Sequence, residues 1–193
     1  MLSSQVNIVK ATIEVVSQLG LDRAATAKIS KSAGVATGTL FHHYPNKGHL
    51  FQAVHQYILD DYVFNLIGFF DYPEDKVGKQ LKKAIKASLD YWIRNPMYFS
   101  FMNQMIHSGY YTDEIARKEM TYFESRLGDA FRVAIRKGLV RKFDPRILLQ
   151  ILLKTIFEIA DMIFHAEDEI LKKKYRQQGV TFIWSALTVQ SKN

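Results

Sequence analysis

The chain of 193 residues contains no cysteine, which excludes a disulfide scaffold, a thiol nucleophile and a thiolate zinc site. It also contains only 4 Pro and 10 Gly. A β-sandwich or β-barrel needs a turn roughly every 8–12 residues, so this scarcity of turn-forming residues favours an all-α protein. Hydrophobic residues make up 48% of the chain and charged residues 23%, which is typical of a folded globular protein.

Sequence features of secretion and of membrane insertion are missing as well. The first ten residues show no basic segment followed by an apolar one, so we expect no signal peptide. The longest run without a charged residue, 95–112, contains Asn103, Gln104 and His107 and is too polar to cross a bilayer. No predicted helix combines a Lys/Arg face with a continuous apolar face, which argues against a membrane-surface protein. We expect a cytoplasmic protein without a membrane partner.

Catalytic and cofactor motifs are also missing. The chain has no G-x-G-x-x-G, P-loop, G-x-S-x-G or H-E-x-x-H pattern, so we predict no catalytic residue and no cofactor. Asp161, His165 and Glu169 recur at four-residue spacing, which could place a metal ion on one helix. The predicted helix ends near Glu167 and offers no second histidine. We therefore interpret Asp161 and His165 as part of a solvated polar stripe with Lys154 and Glu158, and we predict no metal site.

The distribution of charge favours an anionic partner. The formal net charge is +7, and no Asp or Glu occurs between Arg23 and Leu59. This acid-free window contains Lys28, Lys31 and Lys47 and four of the six histidines. Charge alone indicates only non-specific attraction to a polyanion such as nucleic acid, so the motif inside the window has to supply the specific evidence.

The spacing of apolar residues predicts an all-α fold of about nine helices. Ser4, Thr26 and Asn46 are predicted N-caps, and Pro73, Pro96 and Pro145 are each predicted to lie at a helix start. No repeat and no long linker interrupts the chain, so a small N-terminal module is expected to continue into a larger helical body. The predicted helices cover residues 4–19, 27–33, 37–43, 47–70, 75–94, 96–108, 112–137, 145–166 and 168–191.

Residues 25–44 have the pattern of a helix-turn-helix motif. Ile29 and Ala33 face the core of the small module, and Leu40 anchors the second helix from behind. Gly34 allows the positive φ of the turn between the helices. Four side chains are left facing outward, with hydroxyls and imidazoles that suit phosphates and base edges in a major groove: Thr37, Thr39, His42 and His43.

Several short patterns carry a resemblance to one family. They are Ala33-Gly34-Val35, Gly38-Thr39-Leu40-Phe41, His43-Tyr44, Asn46-Lys47 and Leu50-Phe51. In order and spacing they resemble the TetR/AcrR family of bacterial transcription regulators over residues 5–55. Ala36 stands where that family usually has Ser, so the hydroxyl cap before the second helix is lost.

The resemblance implies a helix-turn-helix domain at residues 1–50, joined by a long helix to a helical ligand-binding and dimerisation domain at 51–193. It also implies a dimer with two recognition helices and release from DNA when a ligand binds. Lys47, at the start of the long helix, is expected to contact a phosphate. The predicted DNA-binding residues are Thr26, Lys28, Thr37, Gly38, Thr39, His42, His43, Tyr44 and Lys47.

The C-terminal body supplies candidate effector and dimer residues. The segment 91–106 is rich in Met and aromatic residues, which form either a plain core or an adaptable wall for a mostly apolar or aromatic effector. The predicted ligand-binding residues are Trp92, Phe101, Met102, Met105, Phe157 and Asp161. The helix 145–166 is apolar on nearly every side, which requires a second partner. With the final helix it is predicted to form a four-helix homodimer interface through Leu152, Ile156, Ile159, Ile163, Ile183, Trp184 and Leu187.

Together these features predict a ligand-responsive DNA-binding regulator, specifically a repressor, that binds a near-palindromic double-stranded operator as a homodimer. The alternative is a helical small-molecule carrier or enzyme whose basic N-terminal region is incidental. A regulator's affinity for DNA falls steeply with salt, whereas a carrier has no such affinity.

Overall fold

The computed structural model describes residues 3–70 and 74–189. Over these residues the predicted all-α fold is confirmed, because the chain forms nine α-helices, one short 3-10 helix at Glu74–Lys76 and no strand. The α-helices are α1 (Ser3–Leu19), α2 (Thr26–Ser32), α3 (Thr37–His43), α4 (Lys47–Ile67), α5 (Val77–Arg94), α6 (Pro96–Ile106), α7 (Asp113–Arg136), α8 (Pro145–Phe164) and α9 (Glu169–Leu187).

Several helices begin or end at the capping residues, prolines and glycines from which the sequence predicts those ends. Asn46 Oδ1 accepts a hydrogen bond of 3.0 Å from the His49 amide at the start of α4. Pro96 and Pro145 occupy the first turns of α6 and α8, where their missing N–H is not needed. The third predicted proline, Pro73, lies outside the described residues. Gly34 follows α2 with a φ of +66°, in the left-handed region that glycine reaches without strain.

Some predicted helix ends are wrong by a few residues. Thr26 is not the N-cap of α2, because the helix already begins there and the extended residue Ala25 precedes it without a side-chain cap. The Ala25 carbonyl accepts hydrogen bonds from the Lys28 and Ile29 amides, which starts the helix. The long helix α4 ends at Ile67, three residues early. Helix α9 ends at Leu187, and the predicted end at residue 191 lies outside the described residues.

The structure divides into two compact units. The first unit contains the chain up to Asp61 together with Asn95–Asp113, so that α6 belongs with α1, α2, α3 and most of α4. Within it, α1 packs against α2 and α6. Its core consists of buried residues from all five helices, including Ile8, Val9, Val16, Ile29, Leu40, Leu50, Phe51, Phe101 and Met105.

The second unit contains Tyr62–Arg94 and the chain from Glu114 onward. Helix α8 packs against α5 and α9. Gly179 allows the close approach of α8 and α9, since a Cβ at this position would lie 2.7 Å from Ile159 Cγ2. The core of this unit includes Leu81, Ile85, Leu89, Trp92, Phe123, Leu127, Phe131, Leu149, Ile156 and Ile183.

Helix α5 contradicts the expectation that no helix joins a lysine face to an apolar one. One side of α5 exposes Lys79, Lys82, Lys83 and Lys86, and the opposite side buries Leu81, Ala84, Ile85 and Leu89. The apolar side lies in the core of the second unit and is not open to a lipid surface. No helix among the described residues is long and apolar enough to cross a membrane.

Candidate functional site

Helices α2 and α3 and the turn between them form the predicted helix-turn-helix motif. The Val35 amide donates a hydrogen bond of 3.0 Å to the Ser30 carbonyl, which closes the turn around Gly34. Ile29 and Leu40 are completely buried. One face of each helix is therefore fixed in the core of the first unit, and the other face of α3 points to solvent.

Ser30 fixes α2 to the start of α3. Its side chain is buried, and its Oγ donates a hydrogen bond to the Ala27 carbonyl over 3.1 Å. The same Oγ lies 3.0 Å from Thr37 Oγ1, the first side chain of the recognition helix. The sequence reasoning did not single out Ser30, although a polar residue directly beside the buried Ile29 was an available signal.

The predicted DNA-binding side chains differ in accessibility. The exposed residues are Lys28, Thr37, Gly38 and His42. The partly exposed residues are Thr26, Thr39, His43 and Lys47. Tyr44 is buried, and burial raises the pKa of its phenol. Only the exposed and partly exposed residues are placed for direct contact with a large partner.

The two neighbouring histidines of α3 have different surroundings. His43 Nε2 lies 3.0 Å from Ser4 Oγ, and the two groups are hydrogen-bonded. Ser4, the predicted N-cap of α1, lies inside that helix and connects it to the end of α3. His42 is exposed, with its ring 5.5 Å from the His43 ring. His42 is thus the better placed of the two imidazoles to contact a base or phosphate.

Lys47 holds the turn between α1 and α2. Its Nζ donates hydrogen bonds to the carbonyl oxygens of Leu21, at 2.8 Å, and Asp22, at 3.1 Å. Desolvation lowers the pKa of Lys47, an effect partly opposed by the charge of Asp22. An ammonium group has three N–H donors, so one remains for the predicted phosphate contact. That contact stays a prediction.

The second unit contains a narrow apolar cavity between α4, α5, α7 and α8. Its free volume is about 20 Å³, little more than one water molecule needs, so a larger ligand has to displace side chains. The lining is aliphatic and aromatic apart from two hydroxyl groups. Its residues include Tyr62, Leu66, Leu81, Ile85, Ser88, Leu127, Phe131, Leu149 and Ile156.

The two hydroxyl groups in this cavity, those of Tyr62 and Ser88, are hydrogen-bonded to each other. Burial raises the pKa of Tyr62 to about 12, although hydrogen bonds with Ser88 and Trp92 act in the opposite direction. The negative charge of Glu119 raises this pKa further. The phenol therefore stays neutral, and the pair is a polar point in an apolar interior. Ser88 lies on the otherwise apolar stripe of α5, a signal that the sequence reasoning missed.

The predicted ligand-binding residues belong to both units. Trp92 and Phe157 lie in the second unit with their ring centroids 5.2 Å apart. Phe101, Met102 and Met105 lie on α6 in the first unit, where all three are buried. A common pocket for these five residues stays a prediction.

Asp161, the remaining predicted ligand-binding residue, is partly buried on α8. Its Oδ1 is buried and has no hydrogen-bond partner in the described structure. Its Oδ2 lies 3.4 Å from Nδ1 of the exposed His165. Glu169 begins the next helix, so the three residues of the polar row do not share one helix.

Most of the predicted dimer residues are buried within a single chain. Leu152, Ile156, Ile159, Ile163, Ile183 and Leu187 are all buried, and Trp184 is partly exposed beneath the ammonium of Lys82. Other apolar side chains of α8 and α9 remain exposed and form what we call the α8–α9 surface: Ile147, Ile151, Met162, Ile170 and Phe182.

Comparison with known proteins identifies the module that carries the helix-turn-helix. Residues 8–54 match the family model described as bacterial regulatory proteins, tetR family. This match runs from α1 into the first part of α4 and covers less than half of the chain. Nucleoid occlusion factor SlmA from Vibrio cholerae is 23% identical over 123 residues, which cover 64% of this chain and 61% of that relative's length.

The fold of tetR-family regulators extends over nearly the whole chain. A TetR family transcription regulator from Marinobacter aquaeolei VT8 has a TM-score of 0.75 at 19% identity, covering 97% of both chains. FadR from Bacillus subtilis, a transcriptional regulator in complex with stearoyl-CoA, has a TM-score of 0.77 at 16% identity. That similarity covers 94% of this chain and 98% of FadR. The chain therefore shares the fold of these solved structures over nearly its whole length.

Proposed function

We propose that the protein is a DNA-binding transcription regulator, specifically a repressor, that binds a near-palindromic duplex operator as a homodimer and is released by a small molecule. The observation that carries the proposal is the solvent-facing side of α3, within the segment that matches the tetR family model. Thr37 and His42 are exposed there, and the buried residues Ile29 and Leu40 hold the motif from behind.

The electrostatics of the domain support DNA as the partner. The window from Arg23 to Leu59 contains cationic and neutral residues only, so α2 and α3 themselves carry no carboxylate that would repel phosphates. Lys28 is exposed on α2 and is suited to a phosphate contact. Transcription regulation of this kind requires no catalytic residue, and a cytoplasmic location follows from a function on chromosomal DNA.

Selection of bound fragments from random duplex DNA tests this function directly. We expect enrichment of a near-palindromic sequence whose half-sites are about one helical turn apart, ~34–36 Å, or a modest multiple of that distance. The affinity should fall steeply between low and moderate salt. A protein that binds small molecules but shows no salt-dependent affinity for duplex DNA would instead be a carrier.

The α8–α9 surface is the proposed dimer interface. Ile151 and Phe182 are among its exposed apolar residues, and several exposed apolar side chains on two helices that pack together are typical of a protein–protein interface. Two copies of the pair α8 and α9 would form a four-helix interface. The predicted dimer residues that are buried would then pack beneath the exposed residues of the α8–α9 surface within each chain.

The cavity of the second unit is the proposed effector site. Its lining supports the expected mostly apolar or aromatic effector, with the Tyr62 and Ser88 hydroxyls as the polar contact. Binding can affect DNA affinity only through a difference in effector affinity between two conformations of the protein. Helix α4 connects the two units covalently, because its residues up to Asp61 belong to the first unit and those from Tyr62 onward to the second.

A further inference from the structure

The turn between α1 and α2, residues 20–22, is held by side chains that are distant in sequence. Gly20 ends α1 with a φ of +83°, and the Leu21 side chain is buried. The Leu21 amide donates a hydrogen bond of 2.8 Å to Gln104 Oε1 on α6, 83 positions away in the chain. The Leu21 and Asp22 carbonyls accept hydrogen bonds from Lys47, so both sides of the turn are bound.

The Gln104 amide is itself held in one orientation. Its Nε2 donates hydrogen bonds to the Ser100 carbonyl, at 3.3 Å, and to Ser100 Oγ, at 3.2 Å, one turn earlier on α6. With the NH₂ group bound to Ser100, the carbonyl oxygen is directed at the Leu21 amide. The completely buried Phe101 packs its ring 5.9 Å from Phe51 and fixes α6 in the core of the same unit.

The turn leads directly into the DNA-binding motif. Only four residues separate Leu21 from the start of α2 at Thr26, and Ser30 of α2 contacts Thr37 of α3. A displaced turn would therefore move α2 and, through α2, the recognition helix. Loss of the oxygen of Gln104 would also leave a backbone N–H without its partner, which costs more than an ordinary hydrogen bond contributes.

We propose that Gln104 is a positioning residue for DNA binding, which holds the α1–α2 turn, and with it the helix-turn-helix, from α6. This inference rests on the proposed function for its DNA readout, whereas its structural part concerns the Leu21 amide alone. Gln104 acts through the turn and does not itself contact DNA.

The test compares Gln104→Leu, Gln104→Glu and the control Asn103→Leu in the full chain. Glutamate keeps the acceptor oxygen and leucine removes it, and Asn103 is the neighbouring residue on α6, outside this contact. Hydrogen exchange of the Leu21 amide should become roughly tenfold faster in Gln104→Leu and stay close to wild type in Asn103→Leu. It should be slower in Gln104→Glu than in Gln104→Leu, because the carboxylate keeps an acceptor for the Leu21 amide although it loses the Nε2 donors to Ser100. Exchange of core amides of α4 reports the global stability.

Binding to a duplex from the random-DNA selection is measured at a temperature where every variant is folded. We expect Gln104→Leu to bind about five- to tenfold more weakly than wild type and Asn103→Leu to bind as wild type does. Gln104→Glu is compared by exchange alone, because its added negative charge weakens DNA binding by itself. The proposal is overturned if Leu21 exchange is unchanged in Gln104→Leu, if glutamate protects the Leu21 amide no better than leucine, or if core amides lose as much protection as Leu21. It is also overturned if Gln104→Leu binds DNA as tightly as wild type does. If wild type itself binds no DNA, the proposed function fails, while the exchange of Leu21 still decides whether Gln104 holds the turn.

Discussion

Trp92 stacks on Tyr62 in the second unit, with their ring centroids 5.0 Å apart and the ring planes inclined by 24°. Tyr62 lines the apolar cavity, so a ligand that enters the cavity has to disturb the aromatic surroundings of Trp92. The chain contains only 2 Trp. In a Trp184→Phe variant, Trp92 is the single tryptophan and reports on this site.

The first prediction concerns the effector. A compound that releases the protein from DNA should change the emission of Trp92 in the Trp184→Phe variant. Ser88→Ala removes one of the two hydroxyls of the cavity and should weaken an effector with a hydrogen-bonding group by about tenfold. The exposed Ser125→Ala on α7 is the matched control and should leave potency unchanged. An active compound that leaves Trp92 emission and the Ser88→Ala potency unaltered binds elsewhere.

The second prediction separates two roles of Lys47. Lys47→Met keeps most of the aliphatic chain and removes the ammonium that binds the Leu21 and Asp22 carbonyls. We expect a loss of about 1–3 kcal/mol in the free energy of unfolding, measured by chemical denaturation. The exposed Lys28→Met should have little effect on stability.

DNA binding completes the test of Lys47. If the remaining N–H also contacts a phosphate, Lys47→Met lowers the slope of log affinity against log salt by about 0.9. Unchanged stability combined with that lower slope would show a phosphate ligand with no structural role. An unchanged salt slope combined with a reduced free energy of unfolding would show that Lys47 has a structural role and does not contact a phosphate.

The third prediction concerns the recognition helix. Thr39→Ala should reduce binding most for operators altered at one base pair, because a side chain that contacts a base edge affects one position. Lys28→Ala should weaken binding to all sequences alike, since a phosphate contact carries no sequence information. The exposed Thr121→Ala on α7 provides the control. Equal affinity of all three variants for a panel of operator mutants would contradict the assignment of α3 as the reading helix.

Local patterns were sufficient to predict the helices. Asn46, Pro96 and Pro145 act within one turn of their own positions, so their effects can be derived from the sequence alone. The helix-turn-helix also depends on short-range spacing. Its predicted core residues Ile29 and Leu40 are buried, whereas Ala33, also predicted to face the core, is partly exposed. Thr26 failed as a cap because the backbone of Ala25 starts α2 without a side chain.

Contacts between segments that are distant in the chain could not be predicted from local sequence patterns. No local pattern indicates that α6 packs in the first unit, and none pairs Gln104 with Leu21 across 83 positions. The Met- and aromatic-rich segment gave a correct signal for burial, as Phe101 and Met105 show. The segment could not show which unit these side chains would join. Its composition indicates that they are buried, but the residues they pack against are determined by the whole fold.

The last prediction concerns the dimer and uses two exposed phenylalanines. Phe182 lies on the α8–α9 surface with 65% of its side chain exposed, and Phe64 lies on α4 with 78% exposed. Phe182→Glu introduces a charge into the proposed interface and should convert the dimer to a monomer at micromolar concentration, as measured by light scattering. Phe64→Glu makes the same chemical change at a more exposed site outside that surface, so it should remain dimeric.

The monomer should also bind its operator more weakly. A dimer contacts two half-sites at once, and its second contact is intramolecular, which typically increases the affinity by ~10²–10⁴. Phe182→Glu should lose affinity for the full operator by an amount in this range and bind a single half-site as wild type does. A dimeric Phe182→Glu variant, or a monomeric Phe64→Glu variant, would place the interface on another surface. Loss of half-site binding in Phe182→Glu would instead indicate damage to the fold, because an interface residue should not alter how one recognition helix contacts one half-site.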